Sequence, residues 1–286
     1  MPDTPRDFPV LVGVDFTSRP RPAKPIALAL GHPVAGGVAL DALHLLPDFA
    51  ALARWLRTPG PWLGAFDFPF GLPRELVVHL GWPMTWPALI THYAALPREQ
   101  IRATFAAFCA ARPPGGKFAH RACDRPAGSS PSMKWVNPPV AYMLHAGAPL
   151  LLASGSHLPG LHAGDPRRVA LEGYPGLLAR ELLGARSYKS DDKARQDEPR
   201  RAARAELIDA LERGATRLEM RLALSRAQRQ ALLDDARADQ LDAVLCMVQA
   251  AWAAVQPNFG LPCGVDPLEG WIVTALPGAT AQPTAQ

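Results

Sequence analysis

The stretch Pro9 to Ser18 (Pro-Val-Leu-Val-Gly-Val-Asp-Phe-Thr-Ser) constrains the fold more than any other part of the chain. Val10, Leu11, Val12 and Val14 form an apolar, β-branched run suited to a central strand buried on both faces. Asp15 closes that run, and an ionised carboxylate there is costly to bury unless it is paired or bound to a cation. A central strand ending in an acid places negative charge at a sheet edge, where ligands bind in open α/β folds. Taken alone, Asp15 would serve equally well to cap a turn. The balance shifts because three further stretches begin or end in acids placed the same way.

A chain of 286 residues that is 48% hydrophobic can bury a substantial core, as one large domain or as one domain carrying an insertion. The formal net charge of +4 permits an anionic partner without demanding one. Four cysteines (Cys109, Cys123, Cys246, Cys263) show neither CxxC spacing nor pairing with nearby histidines. That pattern argues against zinc and for a reduced chain. The first residues have no apolar signal-like core, and no run of about 18 apolar residues occurs, so the expectation is a cytoplasmic protein with no membrane segment.

After a loose leader over residues 1–8, Pro25–Leu30 and Gly37–Leu46 read as the arms of a β-hairpin around Gly31-His32-Pro33 and Gly36-Gly37. Pro47-Asp48 opens a helix that stops at Thr58-Pro59-Gly60. A short run from Trp62 to Phe66 ends in Asp67. From Trp82 to Asp165 the pattern changes: a helix over His92–Arg112 is surrounded by segments dense in Pro, Gly and Ser, which reads as an insertion or cap over the sheet edge. Strand character returns at Arg168–Leu171, ending in Glu172. A helix to Leu183 closes at Gly184, a charged helix spans Asp192–Arg213, and Ser225 with Gln228 resembles a capping box for another short helix. The last long helix runs over Asp239–Val255, with Leu241, Val244, Leu245, Val248 and Trp252 on its apolar face. Gly270–Ala275 reads as a final small strand and 276–286 as a disordered tail.

Asp15, Asp67 and Glu172 each fall at the C-terminal end of a short apolar run, so parallel neighbouring strands would bring all three to one edge. Asp239 and Asp242 are three apart and share one side of a helix. Clustered carboxylates repel unless a cation holds them, and hard oxygen donors without Cys or His imply Mg²⁺ or Mn²⁺. Such clusters bind ions that promote phosphodiester cleavage. Asp15, Glu172 and Asp239 or Asp242 are then expected within roughly 10 Å of one another. Relief of their repulsion predicts that Asp242→Asn leaves the metal-free protein as stable or more so. Lys189 could contact phosphate, and Arg121, Arg125 and Lys134 in the insertion could face an anionic substrate.

Each residue also has a local role open to it. Asp239 could be an N-cap with Asp242 favoured by the helix dipole, Asp67 could initiate a turn, Glu172 could pair with Arg167 or Arg168, and the basic residues could be solvated. His120, His145 and His157 have no metal-like spacing.

The set Gly13-Val14-Asp15, Phe66-Asp67-Phe68-Pro69-Phe70-Gly71-Leu72-Pro73, Glu172-Gly173-Tyr174-Pro175, Tyr188-Lys189 and Asp239-Gln240-Leu241-Asp242-Ala243 resembles the family called domain of unknown function 429, described as predicted RNase H-like nucleases. The resemblance runs from about Pro9 to Thr274. It implies an α/β ribonuclease H-like domain over 9–275: three antiparallel strands, then helix-linked parallel strands, with 82–165 inserted. Carried over by position, it implies Asp15, Glu172, Asp239 and Asp242 as metal ligands and Asp67 as a supporting acid. The expected function is metal-dependent hydrolysis of nucleic acid. Nucleotide-dependent phosphotransfer and a non-catalytic binding role are the alternatives; the former is disfavoured because Phe16-Thr17-Ser18-Arg19-Pro20 carries no glycine for a phosphate loop.

Overall fold

The computed structural model describes residues 8–276. The apolar runs form strands β1 (Val10–Asp15), β2 (Ile26–Val34), β3 (Gly37–Leu46) and, after helix α1 (Phe49–Leu56), β4 (Trp62–Asp67). Helices α2 (Arg74–His79), α3 (Trp86–Ala95), α4 (Arg98–Ala110), the short α5 (Asp124–Ala127) and α6 (Val140–Ser154) follow. Next come β5 (Ser156–His157), β6 (Asp165–Glu172), α7 (Pro175–Leu183), α8 (Glu198–Arg213), β7 (Arg221–Ala223), α9 (Arg226–Asp234) and α10 (Asp239–Ala254).

The strands make one sheet in the order β5-β6-β4-β1-β2-β3-β7. β1, β2 and β3 pair antiparallel, whereas β4 runs parallel to β1 and to β6, β5 parallel to β6, and β7 parallel to β3. Three antiparallel strands followed by helix-linked parallel ones, with helices on both faces, are consistent with a ribonuclease H-like fold. β1 lies at the centre. Alternation along it sends Leu11 to one core and Val12 and Val14 to the other.

Helix α10 crosses the first of these faces, against β1, β2 and β4. Leu241, Val244, Leu245 and Val248 are fully buried there, and each such side chain contributes about 1.5–3 kcal/mol of burial. The approach is so close that a Cβ on Gly13 would stand 1.9 Å from the Ala243 carbonyl oxygen. Side chains of α7, α8 and α9 complete this core.

The opposite face is covered by α1, α2, α3, α4 and α6, with Leu89, Tyr93, Phe105, Leu144 and Leu151 buried against Val14, Leu28 and Phe66. Residues 82–165 therefore supply a layer of the main core and an edge strand, β5, and not only a cover for the sheet edge. The single helix expected over His92–Arg112 is two, α3 and α4, because Pro97 lacks the N–H needed to continue the first. The charged helix begins at Glu198, capped by Asp197. Gly270–Ala275 contributes only a bridge from Ile272 to Glu172. Phe8, expected in a loose leader, is buried near Phe259. The expected leader over 1–7 and the tail beyond Leu276 lie outside the described residues. Among the described residues no helix is long and apolar enough to cross a membrane.

Candidate active site

Asp15 and Asp67 are direct partners in the parallel pairing of β1 with β4. Alternation turns both to the face occupied by α10, since Gly13, two residues before Asp15, lies directly beneath that helix and Ala65, two before Asp67, belongs to the same core. Asp242, in the first turn of α10, is fully buried. Its Oδ1 accepts a hydrogen bond from the Tyr188 hydroxyl at 2.5 Å, and its Oδ2 is paired with the Lys189 ammonium.

The electrostatics tie these groups together. Burial pushes the Asp15 carboxyl well above the usual range, and the charge of Asp242 adds to it. Asp67 is pushed up to about 7, by burial first and then by Asp242. Lys189 opposes both shifts. Burial works against the charge of Lys189 itself, but Asp242, Tyr188 and Asp15 outweigh it and hold its ammonium well above the ordinary value. Asp239 is raised to about 6 by burial and by Asp235. Asp239 is the first residue of α10 and not its cap: Ala238 occupies that position in the left-handed conformation, at φ 59°, and makes no side-chain capping bond.

Glu172 takes a different place. In the pairing of β6 with β4 it stands opposite Phe66, one residue short of Asp67. Side chains alternate, so Glu172 projects with Phe66 to the face away from α10, and Gly173 takes the α10 side, against Cys246 and Gln249. On its own face both oxygens of Glu172 accept from the Arg121 guanidinium at 2.7 Å, and Oε2 also accepts from the Phe70 N–H at 2.9 Å. Arg121 is bound in turn to Asp124 and to the Glu269 carbonyl oxygen. Burial raises Glu172 even so, against the pull of Arg121.

The acids thus share one edge of the sheet but not one face. Asp15, Asp67, Asp239 and Asp242 converge under α10, and Glu172 is tied to the insertion. Of the basic residues singled out in the sequence, Lys189 meets the acids. Arg121 is buried in its ion pairs. Arg125 lines a separate cavity with Cys263, Asp266 and Trp271, and the Lys134 ammonium donates to the Asn137 carbonyl oxygen.

Sequence reasoning passed over Tyr188 as a partner of Asp242. It also missed Gln249, which is fully buried on α10 and bonded to the Tyr174 backbone and to Thr274 Oγ1. Gln249 lies seven residues beyond Asp242, so a polar residue recurring two turns along an apolar stripe was the available signal.

The donors are carboxylate oxygens, the chemistry a hard divalent cation takes, and two of the four acids have a cation beside them: Asp242 is paired with Lys189, and Asp239 lies 3.8 Å from the Arg237 guanidinium. Among the described residues no group of three or more His, Cys, Asp or Glu side chains is placed so that it could hold a metal ion.

One family model, described as "Protein of unknown function (DUF429)", matches residues 13–256. No curated protein and no solved structure matches the chain.

Proposed function

From the premise that the chain belongs to the DUF429 family, a family of unknown function, we propose on the site's own chemistry that it is a Mg²⁺- or Mn²⁺-dependent hydrolase of phosphodiester bonds in nucleic acid. The observation that carries this reading is the register pairing of Asp15 with Asp67 on the face where Asp242 is buried. Asp15, Asp239 and Asp242 would hold the ion, with Asp67 beside them. A bound ion of this kind supplies stabilisation of the charge that builds up when a phosphodiester is attacked by water.

The chain's own groups have distinct tasks. Tyr188 orients Asp242 through its hydroxyl. Lys189 offers positive charge to a phosphate oxygen and neutralises Asp242 while no substrate is present. Asp67, poised near neutral pH, can take a proton from water at a carboxylate oxygen. Glu172 acts at a distance from the chemistry: through Arg121 it ties the insertion to the sheet edge. Buried free thiols at Cys109, Cys123 and Cys246 support a reducing, cytoplasmic setting.

The test is a cleavage assay on branched, hybrid and single-stranded substrates with Mg²⁺ or Mn²⁺. Wild type is expected to cleave at least one class, with Asp15→Asn and Asp242→Asn inactive. Cleavage that persists in both variants, or its absence from wild type on every substrate, would overturn the reading.

A further inference from the structure

A cavity of about 250 Å³ opens beside Asp67, on the side of α7. Three cations stand in its wall, Arg180, Arg186 and Lys189. Two of them are matched to carboxylates, Arg186 by Glu206 and Lys189 by Asp242. Arg180 is exposed and makes no ion pair among the described residues. Its Nη1 donates to the Tyr174 hydroxyl and its Nη2 to the Ala127 carbonyl oxygen, and its guanidinium lies 5.1 Å from the centre of the Tyr174 ring. Both acceptors are neutral, and together they use only part of the guanidinium's set of N–H donors. An arginine fixed in this way keeps its charge and its remaining donors for an incoming anion. The start of α7 also lies in the wall, with no side chain bonded there as a cap, and the partial charge of a helix start has the same sign.

Charge selects an anion, and volume sets its size. The cavity exceeds the roughly 150 Å³ that accommodates benzene, and a phosphate group has fewer heavy atoms than benzene. Of the four clustered acids only Asp67 lines the cavity. An anion held there therefore sits beside the acids proposed to hold the ion and not among them.

We infer that this cavity holds a phosphate group of a nucleic-acid strand, a neighbour of the phosphate under attack, with Arg180 as its main binding residue. The inference rests on the proposed phosphodiester hydrolysis for its substrate class, and it adds that the substrate carries more than one phosphate. Arg180 touches the strand away from the reacting atoms, so its contribution is to affinity and to its salt dependence.

Binding of a fluorescently labelled oligothymidylate to the full chain, measured in the presence of a chelator, tests this apart from cleavage. Arg180→Gln should weaken binding by about tenfold. It should also lower the slope of log affinity against log salt by about 0.7, the share of one phosphate contact on a single strand. Arg180→Lys keeps the charge and should keep the wild-type slope. An Arg180→Gln protein with a wild-type melting curve and unchanged affinity would overturn the inference. So would weaker binding at an unchanged slope, which would assign Arg180 to holding Tyr174 and Ala127 in place. Arg186→Glu, at an exposed position, puts a carboxylate into the same wall and should weaken binding by about tenfold; it decides the matter if Arg180→Gln does not fold. Affinity of wild type for inorganic phosphate but not for the strand would assign the cavity to a free anion and overturn its place on a nucleic acid. Strand binding that both Arg180→Gln and Arg186→Glu weaken, with no cleavage once Mg²⁺ or Mn²⁺ is added, would sink the hydrolase reading and leave the phosphate site standing. Cleavage by wild type accompanied by binding that neither variant alters would do the reverse.

Discussion

Glu172 and Arg121 face each other across the junction of sheet and insertion, with two parallel hydrogen bonds of 2.7 Å between carboxylate and guanidinium. They are 51 residues apart in sequence and both almost wholly buried. A fork-to-fork pair of this kind is specific in geometry, and it holds the 82–165 segment to the end of β6.

Removing one partner strands the other charge in the interior. Arg121→Met is expected to lower stability by about 3–5 kcal/mol, read as a shift in the denaturant midpoint at constant slope. The double replacement Arg121→Met with Glu172→Gln should cost less than the Arg121→Met single, because Asp124 alone, and not Glu172 as well, then loses its counter-charge. Equal costs for the single and the double variant would show that packing, and not the ion pair, accounts for the loss.

Asp67 makes stability depend on pH in a defined direction. Its folded pKa of about 7 lies above the unfolded value near 3.9, so the folded state holds the proton more tightly. The unfolded chain releases it first, and between about pH 4 and pH 7 this group lowers stability as pH rises. Asp67→Asn removes that dependence. Relative to wild type, the variant should gain about 2–4 kcal/mol on going from pH 4 to pH 7, with no further gain above it. Thermal or urea melts across that range in metal-free buffer decide it, and a flat difference would rule out the crowded, buried carboxylate.

Asp242→Asn should act in the opposite sense. From the sequence, relief of repulsion predicts an unchanged or more stable metal-free protein. The pairing of Asp242 with Lys189 and Tyr188 reverses that expectation, since the amide leaves an ammonium without its counter-charge. The Lys189 side chain is 44% exposed, which lets solvent absorb part of the loss. The variant should therefore be less stable by about 1–2 kcal/mol, whereas Tyr188→Phe should cost about 1 kcal/mol through its lost hydrogen bond. A more stable Asp242→Asn protein in metal-free urea melts would contradict the pairing.

Metal should reveal itself by linkage. Mn²⁺ that binds the folded state raises the melting temperature of wild type, increasing with the logarithm of its concentration once past the dissociation constant. Asp15→Asn should show a smaller rise, and a chelator should abolish the effect in wild type. Equal shifts in the two proteins would remove the ion from this site.

Gly13→Ala tests the geometry under α10. The added Cβ would fall 1.9 Å from the Ala243 carbonyl oxygen and 2.3 Å from the Met247 nitrogen, both backbone atoms that move only with the helix. The expected cost is about 3 kcal/mol or more, measurable by denaturant unfolding. A neutral outcome would mean that α10 does not lie on β1 as described.

The local grammar of the chain was legible without its structure. The β1 run, the Asp48 cap of α1, the Gly184 stop of α7, the Ser225–Gln228 box and the apolar stripe of α10 all follow from side-chain period and backbone chemistry within a few residues. So did the placing of Asp15, Asp67 and Glu172 at one end of the sheet, because each closes an apolar run. Which face each acid takes was not legible. That depends on register, and a one-residue offset between β4 and β6 sends Glu172 to the opposite side from Asp67. Period-2 alternation within a strand says nothing about its alignment with a neighbour about a hundred residues away, which is set by packing across the whole sheet. The partners of the charges were hidden for the same reason. Arg121 looked like a solvated loop residue until the fold closed over it, and Lys189 like a free phosphate ligand until Asp242 was brought against it. A charge finds its partner through space, and only the tertiary structure decides which one lies within reach.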